Sequence, residues 1–99
     1  MATYVALVDF TEQGMRTIKE SPRRAQAFVE RAKAMGAQVK QVYWTSGVHD
    51  GVLVIEAPDD RTVSALLLTL AGTGNVKTTT LRAFDRTEME GILEKLAGA

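Results

Sequence analysis

Two segments of this chain are apolar enough to require burial on both of their sides. Residues 3–10 have the two-residue alternation of a β-strand, and both of the resulting faces carry apolar side chains. Residues 52–55, Val-Leu-Val-Ile, form an unbroken apolar run, which is typical of a fully buried strand. We therefore predict that these segments are the central strands of a sheet that has cover on both faces.

Two further strand-like segments are less apolar, and we expect them at the edges of the same sheet. Residues 38–45 alternate apolar and polar side chains, and residues 76–84 include three consecutive threonines, which favour strands but bury little apolar surface. Residues 46–51, Ser-Gly-Val-His-Asp-Gly, have the composition of a hairpin connection. In that connection we expect Gly47 and Gly51 to have a positive φ angle or to approach neighbouring atoms closely.

Three amphipathic helices are predicted between and after the strands. Ser21 and Pro22 fit the N-cap and the first residue of one helix, and residues 58–60 open a second helix with acidic groups at its positive end. Thr87 and Glu90 have the spacing of a capping box before a short C-terminal helix. The apolar stripe of that helix consists of Met89, Ile92, Leu93 and Leu96.

The order of these elements is βαββαβ followed by a terminal helix, which we expect to form one domain over residues 1–99. Right-handed crossovers place strands one and three in parallel at the centre, with strands two and four at the edges. This is the ferredoxin-like α+β arrangement, in which both main helices cover the same face of an antiparallel sheet.

The opposite face of the central strands is then apolar and uncovered. A second copy of the chain is the simplest cover, because exposing a few hundred Å² of apolar surface forgoes several kcal/mol. The C-terminal helix can contribute to this cover, either in its own subunit or on a partner. We therefore expect a homodimer or a higher oligomer.

The composition excludes several classes of function. The chain has no cysteine and one histidine, so it cannot build a thiolate or multi-histidine metal site, and we expect no metal and no cofactor. Twelve basic residues balance twelve acidic ones, and a pI near 6.6 argues against nucleic-acid binding. No apolar run is long enough to span a membrane. We expect a cytoplasmic protein without a nucleic-acid or membrane partner.

His49 and Asp50 are the strongest candidates for catalytic residues. An imidazole can move a proton near neutral pH, and a carboxylate can orient or repolarise it. Asp50 and Gly51 are also a favoured hairpin pair, so a structural turn with an exposed histidine is the preferred alternative. Tyr43 and Trp44 end the preceding strand, where they can either line a ligand pocket or be buried at a subunit interface.

A second candidate group lies where the first strand leads into a helical turn. Thr11, Gln13 and Arg16 can hold an anion there together with free backbone N–H groups. Helix capping by Thr11 is the preferred structural alternative, because the segment lacks the spacing of a phosphate-binding loop.

The expected topology separates these two groups of candidates. Strand one is expected to end at the opposite edge of the sheet from the hairpin, so His49 and Arg16 are not expected to share a substrate. The end of strand four is expected near His49, with Arg82 as a ligand-binding companion and Asp85 beside it. Ion pairing on an exposed strand is the structural alternative for both.

Five short motifs, in this order along the chain, resemble the GYD-domain family. They are residues 11–14 (TEQG), 18–23 (IKESPR), 47–50 (GVHD), 56–60 (EAPDD) and 74–78 (GNVKT). In the third motif, His49 stands where the motif that names the family has tyrosine before the aspartate, and Val48 separates it from Gly47. The resemblance implies a ferredoxin-like domain related to dimeric α+β barrels, without a settled activity.

Two functions remain open at this point. The preferred one is a homo-oligomeric module that binds a small ligand or has a regulatory role. The alternative is a cofactor-independent enzyme of the isomerase or monooxygenase type, by analogy with enzymes built on dimeric α+β barrels, with His49 as acid or base. The expected partners are a second copy of the chain and a small molecule.

Overall fold

The structure is a computed structural model and describes residues 1–97. Its strands are β1 (Ala2–Phe10), β2 (Gln38–Trp44), β3 (Gly51–Ala57) and β4 (Val76–Ala83). Its α-helices are α1 (Glu12–Arg16), α2 (Ser21–Ala34), α3 (Asp60–Ala71) and α4 (Arg86–Ala97), and a 3-10 turn at Ile18–Glu20 joins α1 to α2. The predicted order of strands and helices is confirmed.

The strands form an antiparallel sheet in the order β2-β3-β1-β4, so the predicted central and edge strands are correct. This is the ferredoxin-like α+β fold. The predicted parallel pairing of strands one and three is wrong. The β2–β3 hairpin reverses the chain after the β1–α2–β2 crossover, so β3 enters between β1 and β2 and runs against both. As a result, Val8 near the end of β1 lies opposite Gly51 at the start of β3.

The core lies between one face of the sheet and the helices α2 and α3. Along β3 every second residue is buried, because alternate side chains point to opposite faces and one face carries the helices. The strands contribute Tyr4, Ala6, Val8, Leu53, Ile55, Ala57 and Val76 to the core, and the helices contribute Phe28, Ala32, Val63, Leu66 and Leu67. Asp59 caps α3 by accepting a 2.8 Å hydrogen bond from the backbone N–H of Thr62, as the acidic start of this helix predicts.

The opposite face of the sheet is apolar at its centre. Val5 lies opposite Val54 on β3 and Leu81 on β4, and Leu7 lies opposite Val52. No described helix packs extensively on this face, which we call the open sheet face. The predicted apolar second face of the central strands is therefore present.

The capping box of helix α4 lies two residues before the predicted one. The Asp85 carboxylate accepts a 2.8 Å hydrogen bond from the N–H of Glu88, and the Glu88 carboxylate accepts a 3.1 Å hydrogen bond from the N–H of Asp85. The reciprocal pair is thus Asp85 and Glu88, which have the same spacing as Thr87 and Glu90 but directly follow β4. The helix has no extensive contact with the described body, and its apolar stripe is exposed: Met89, Ile92, Leu93 and Leu96.

Candidate functional site

An open groove of about 530 Å³ lies beside the end of β1, between the sheet and the helices α2 and α3. Its walls are mostly apolar. They include Val8, Phe10, Phe28, Val42, Leu53, Leu70 and Val76. Volume and lining are those of a small-molecule site.

Trp44, at the end of β2, lines this groove and is held against α2. Its indole N–H donates a 2.9 Å hydrogen bond to the hydroxyl of Ser21. The predicted N-cap role of Ser21 is wrong, because Glu20 occupies the N-cap position and Ser21 is the first helical residue. Helix α2 starts at Ser21 with Pro22 in its first turn. Trp44 remains 49% exposed, so its ring is accessible to a molecule in the groove.

The hairpin that follows Trp44 depends on two glycines, as expected. Gly47 has φ = 132°, a conformation that other residues rarely adopt. Gly51 lies opposite Trp44 in the sheet, and a Cβ atom there would be 3.1 Å from the carbonyl oxygen of Tyr43. The chain therefore passes close to β2 at this point.

Asp50 connects the hairpin to the end of β1. Its backbone N–H donates a 2.8 Å hydrogen bond to the carbonyl of Val8, and its carboxylate accepts a 2.9 Å hydrogen bond from the N–H of Phe10. Asp50 also lines the groove, together with the other candidates Tyr43 and Trp44. The structure thus brings these three predicted site residues together.

His49 lies beside Asp9 rather than in the groove. Its Nδ1 atom is 3.1 Å from Asp9 Oδ1, the two side chains are 36% and 38% exposed, and His49 is not among the residues that line the groove. The expectation that β1 ends away from the hairpin is therefore wrong. It followed from the parallel pairing of strands one and three, whereas β1 and β3 are antiparallel.

The same error misplaced Arg82 and Asp85. Arg82 lies opposite Tyr4 on β1, far along the strand from Val8, so it is not a companion of His49. Asp85 is the cap of α4 beyond the end of β4. The sequence argument that separates His49 from Arg16 fails for the same reason.

Thr11, Gln13 and Arg16 form contacts that fix helix α1. The Thr11 hydroxyl accepts a 3.1 Å hydrogen bond from the N–H of Gly14, as its capping alternative predicts, and donates to the carbonyl of Gly74. The Gln13 amide donates to Asn75 and to the backbone of the same loop, and the Arg16 side chain pairs with Glu12. Thr11 and Gln13 thereby join α1 to the loop between α3 and β4. None of the three lines the groove.

Arg82 belongs to a separate cluster at the other end of the sheet. Its guanidinium group lies 5.6 Å from the centroid of the Tyr4 ring and 4.6 Å from that of Phe84, and it pairs with Glu88 at 3.1 Å. The Tyr4 hydroxyl donates to the carboxylate of Asp60. That hydrogen bond, with burial, raises the pKa of Tyr4. The N–H of Asp85 and then the Arg82 side chain lower the pKa of Glu88.

Sequence reasoning missed two groove residues on α2, Arg24 and Arg31. On a helix with as many charges as α2, the sequence favours a solvated face for both arginines. Their spacing of seven residues places both on one side of the helix, with Phe28 between them, but this spacing alone does not distinguish a groove wall from a solvated face.

The GYD domain profile matches residues 4–93 of the chain. The chain belongs to the GYD domain family. A curated relative from Thermus thermophilus, named "Glutamine synthetase and cystathionine beta-lyase binding protein", is 37% identical over 84 residues, which are 84% of this chain and 88% of the relative. The family predicted from the five motifs is thus confirmed.

Solved structures have the same fold as this GYD domain. TTHA0845 from Thermus thermophilus aligns with a TM-score of 0.55 and 26% identity, over 86% of this chain and 95% of that one. MtbAldR aligns with a TM-score of 0.61 and 16% identity over 86% of this chain. The GYD domain spans about half, 54%, of the MtbAldR chain, and at this identity the likeness concerns the fold alone.

Residues 1–97 contain neither a membrane-spanning helix nor a cluster of metal-ligating side chains. None of the helices there has the length and apolar character needed to cross a membrane. The same residues contain no group of three or more His, Cys, Asp or Glu side chains arranged to hold a metal ion.

Proposed function

We propose that this GYD domain is a homo-oligomeric regulatory module that binds a small molecule in the groove beside Trp44. The observation that carries the proposal is the groove itself. It is large and apolar, it lies at one end of the sheet, and a few polar groups converge on it. The cytoplasmic location expected from the sequence is part of this proposal.

The relative from Thermus thermophilus supports a regulatory role. Its name states that it binds glutamine synthetase and cystathionine beta-lyase. By analogy, we propose that this chain acts on metabolic enzymes by binding them, and that a small molecule in the groove modulates this binding. The open sheet face, with its apolar centre, is the proposed surface for self-association.

The enzymatic alternative has less support. It assigns proton transfer to His49, but this side chain contacts Asp9 and does not line the groove. Asp50 does line the groove, yet its carboxylate accepts a hydrogen bond from the backbone of Phe10. A ligand in the groove would therefore meet apolar walls and no described acid–base pair.

Trp44 makes the proposal easy to test, because it is the only tryptophan of the chain. The anionic dye 8-anilinonaphthalene-1-sulfonate accepts excitation energy from tryptophan. We expect one dye molecule to bind per chain with energy transfer from Trp44. Replacing Ala25, which lines the groove on α2, with leucine fills part of the space and is expected to weaken dye binding several-fold.

The control is Ala34→Leu, on the same helix but outside the groove. It adds the same side chain at an exposed position and is expected to leave dye binding unchanged. Equal dye affinity in both variants, or binding without energy transfer, would contradict the assignment of the groove as the ligand site.

A further inference from the structure

Most polar side chains of the groove already have a partner within the chain. Ser21 accepts from Trp44, the Asp50 carboxylate from the N–H of Phe10, and Asn75 from Gln13. The hydroxyls of Thr69 and Thr73 donate to backbone carbonyls of α3. These groups fix the walls of the groove through hydrogen bonds within the chain.

The side chain of Arg24 also forms hydrogen bonds within the chain. Its guanidinium group donates to the carbonyl and hydroxyl of Thr17, at 3.1 Å each, and to the carbonyl of Gly14. It therefore connects α2 to α1. None of these acceptors is charged, so they do not neutralise the positive charge of Arg24.

Arg31 differs from the other cations of α2. Among residues 1–97, Arg23 pairs with Glu20 at 3.0 Å and Lys33 pairs with Glu30 at 3.7 Å, whereas Arg31 has neither an ion pair nor a side-chain hydrogen bond. Arg31 is exposed and lines the groove two turns after Arg24. The residues that line the groove thus include two arginines and one aspartate, Asp50, whose carboxylate already accepts a backbone hydrogen bond.

We propose that the groove selects an apolar carboxylic acid, with its carboxylate on Arg31 and its apolar part against Phe10, Phe28 and Leu70. This inference rests on the proposed ligand site and adds the class of ligand. A guanidinium group offers parallel N–H donors that match both oxygens of a carboxylate. The excess positive charge favours an anion, and the apolar walls favour a hydrocarbon or aromatic body over a polar one.

Three probes with the same chain length separate charge from apolar character: sodium octanoate, 1-octanol and octylammonium chloride. Binding is followed by the fluorescence of Trp44, to which none of the probes contributes. We expect octanoate and octanol to bind and octylammonium to bind at least several-fold more weakly than octanoate. We also expect octanoate affinity to fall as salt increases, because part of it is electrostatic.

The variant Arg31→Gln removes the charge while keeping a long polar side chain. We expect it to weaken octanoate binding about 5- to 10-fold and to change octanol binding less than about twofold. Arg31→Lys keeps the charge but not the planar donors, so it should restore part of the affinity. The matched control is Arg23→Gln, which removes a cation on the same helix that does not line the groove.

The outcomes distinguish the ligand class from the ligand site. Octanoate binding that is unaffected by Arg31→Gln, or octylammonium binding as tight as octanoate binding, would overturn the carboxylate assignment while the groove remains a ligand site. If neither octanoate nor octanol changes the fluorescence of Trp44, both the ligand class and the proposed function are wrong.

Discussion

The backbone N–H of Phe10 donates a 2.9 Å hydrogen bond to the carboxylate of Asp50, forty residues further along the chain. With the bond from the N–H of Asp50 to the carbonyl of Val8, it fixes the β2–β3 hairpin against the end of β1. This corner forms one wall of the groove. The fold and the candidate ligand site therefore depend on the same contacts.

This contact predicts a graded response to substitution at position 50. Asp50→Ala leaves the half-buried N–H of Phe10 without its acceptor and should lower the free energy of unfolding by about 1–3 kcal/mol. Asp50→Asn keeps an oxygen that can accept from Phe10, so its loss should be smaller. Urea denaturation of the three proteins measures both values. An alanine variant as stable as the wild type would show that the bond does not support the fold.

The strands and helices could be predicted from the sequence because each has a periodic pattern of apolar residues and is bounded by capping or turn residues. Residues 52–55 are an unbroken apolar run, residues 3–10 carry apolar side chains on both alternating faces, and the acidic residues 59 and 60 indicate a helix start. No local sequence pattern indicates the direction of β3 relative to β1. That direction follows from how many times the chain reverses in the crossover and the hairpin between the two strands. Because the predicted direction of β3 was wrong, His49 was expected beside the end of β4 instead of beside Asp9 on β1.

The groove was harder to predict for a different reason. Trp44 and Asp50 could be identified as candidates because they border the hairpin. Arg31 could not, because an exposed arginine on an amphipathic helix has the same sequence signature whether it faces water or a groove. Within residues 1–97, Arg31 is the cation of α2 that has neither an ion pair nor a side-chain hydrogen bond, whereas Arg23 and Lys33 are ion-paired and Arg24 is hydrogen-bonded.

We predict that a glycine is required at position 14 because helix α1 packs closely against the loop before β4 there. A Cβ atom at this position would lie 2.0 Å from the carbonyl oxygen of Asn75, which is backbone and cannot move aside without shifting the loop. Gly14→Ala should therefore destabilise the protein by about 1–3 kcal/mol. Gly91→Ala, in α4 with open space around it, is the matched control and should cause no loss. Similar thermal melts for the two variants would refute the close approach.

The acid sensitivity of the fold should depend on Asp59. Hydrogen bonds from the hydroxyl and then the N–H of Thr62 lower the pKa of Asp59 below its ordinary value of 3.8. A carboxyl group with a lowered pKa stabilises the fold above the unfolded value, and this contribution is lost as the pH falls through the folded one.

The Tm should therefore fall as the pH decreases from about 4 to 2. The variant Asp59→Asn can still cap α3 but does not titrate, so its Tm should fall less steeply over this range. Circular dichroism melts at a series of pH values provide the measurement. Parallel curves for the two proteins would exclude Asp59 as a source of the acid sensitivity.

Self-association is predicted to use the open sheet face. Val54 lies at its centre, opposite Val5, and a lysine there would place a charge in the contact. Light scattering at micromolar concentration should give a multiple of the 10.8 kDa chain for the wild type and a smaller species for Val54→Lys. Leu68→Lys, at an exposed site on α3, should leave the oligomer intact. A wild-type protein that is a monomer at these concentrations would refute the proposal.

His49 decides between the two functions considered for this domain. Its side chain is partly exposed, lies within hydrogen-bond distance of the Asp9 carboxylate, and does not line the groove. His49→Tyr restores the residue of the family motif and should change the free energy of unfolding by no more than about 0.5 kcal/mol, since exposed ion pairs contribute little. Dye and octanoate binding in the groove should stay within about twofold of the wild type. A large loss of ligand binding in both His49→Tyr and His49→Gln, with the fold intact by circular dichroism, would place the imidazole in the ligand site. That result would favour the enzymatic alternative over a binding module.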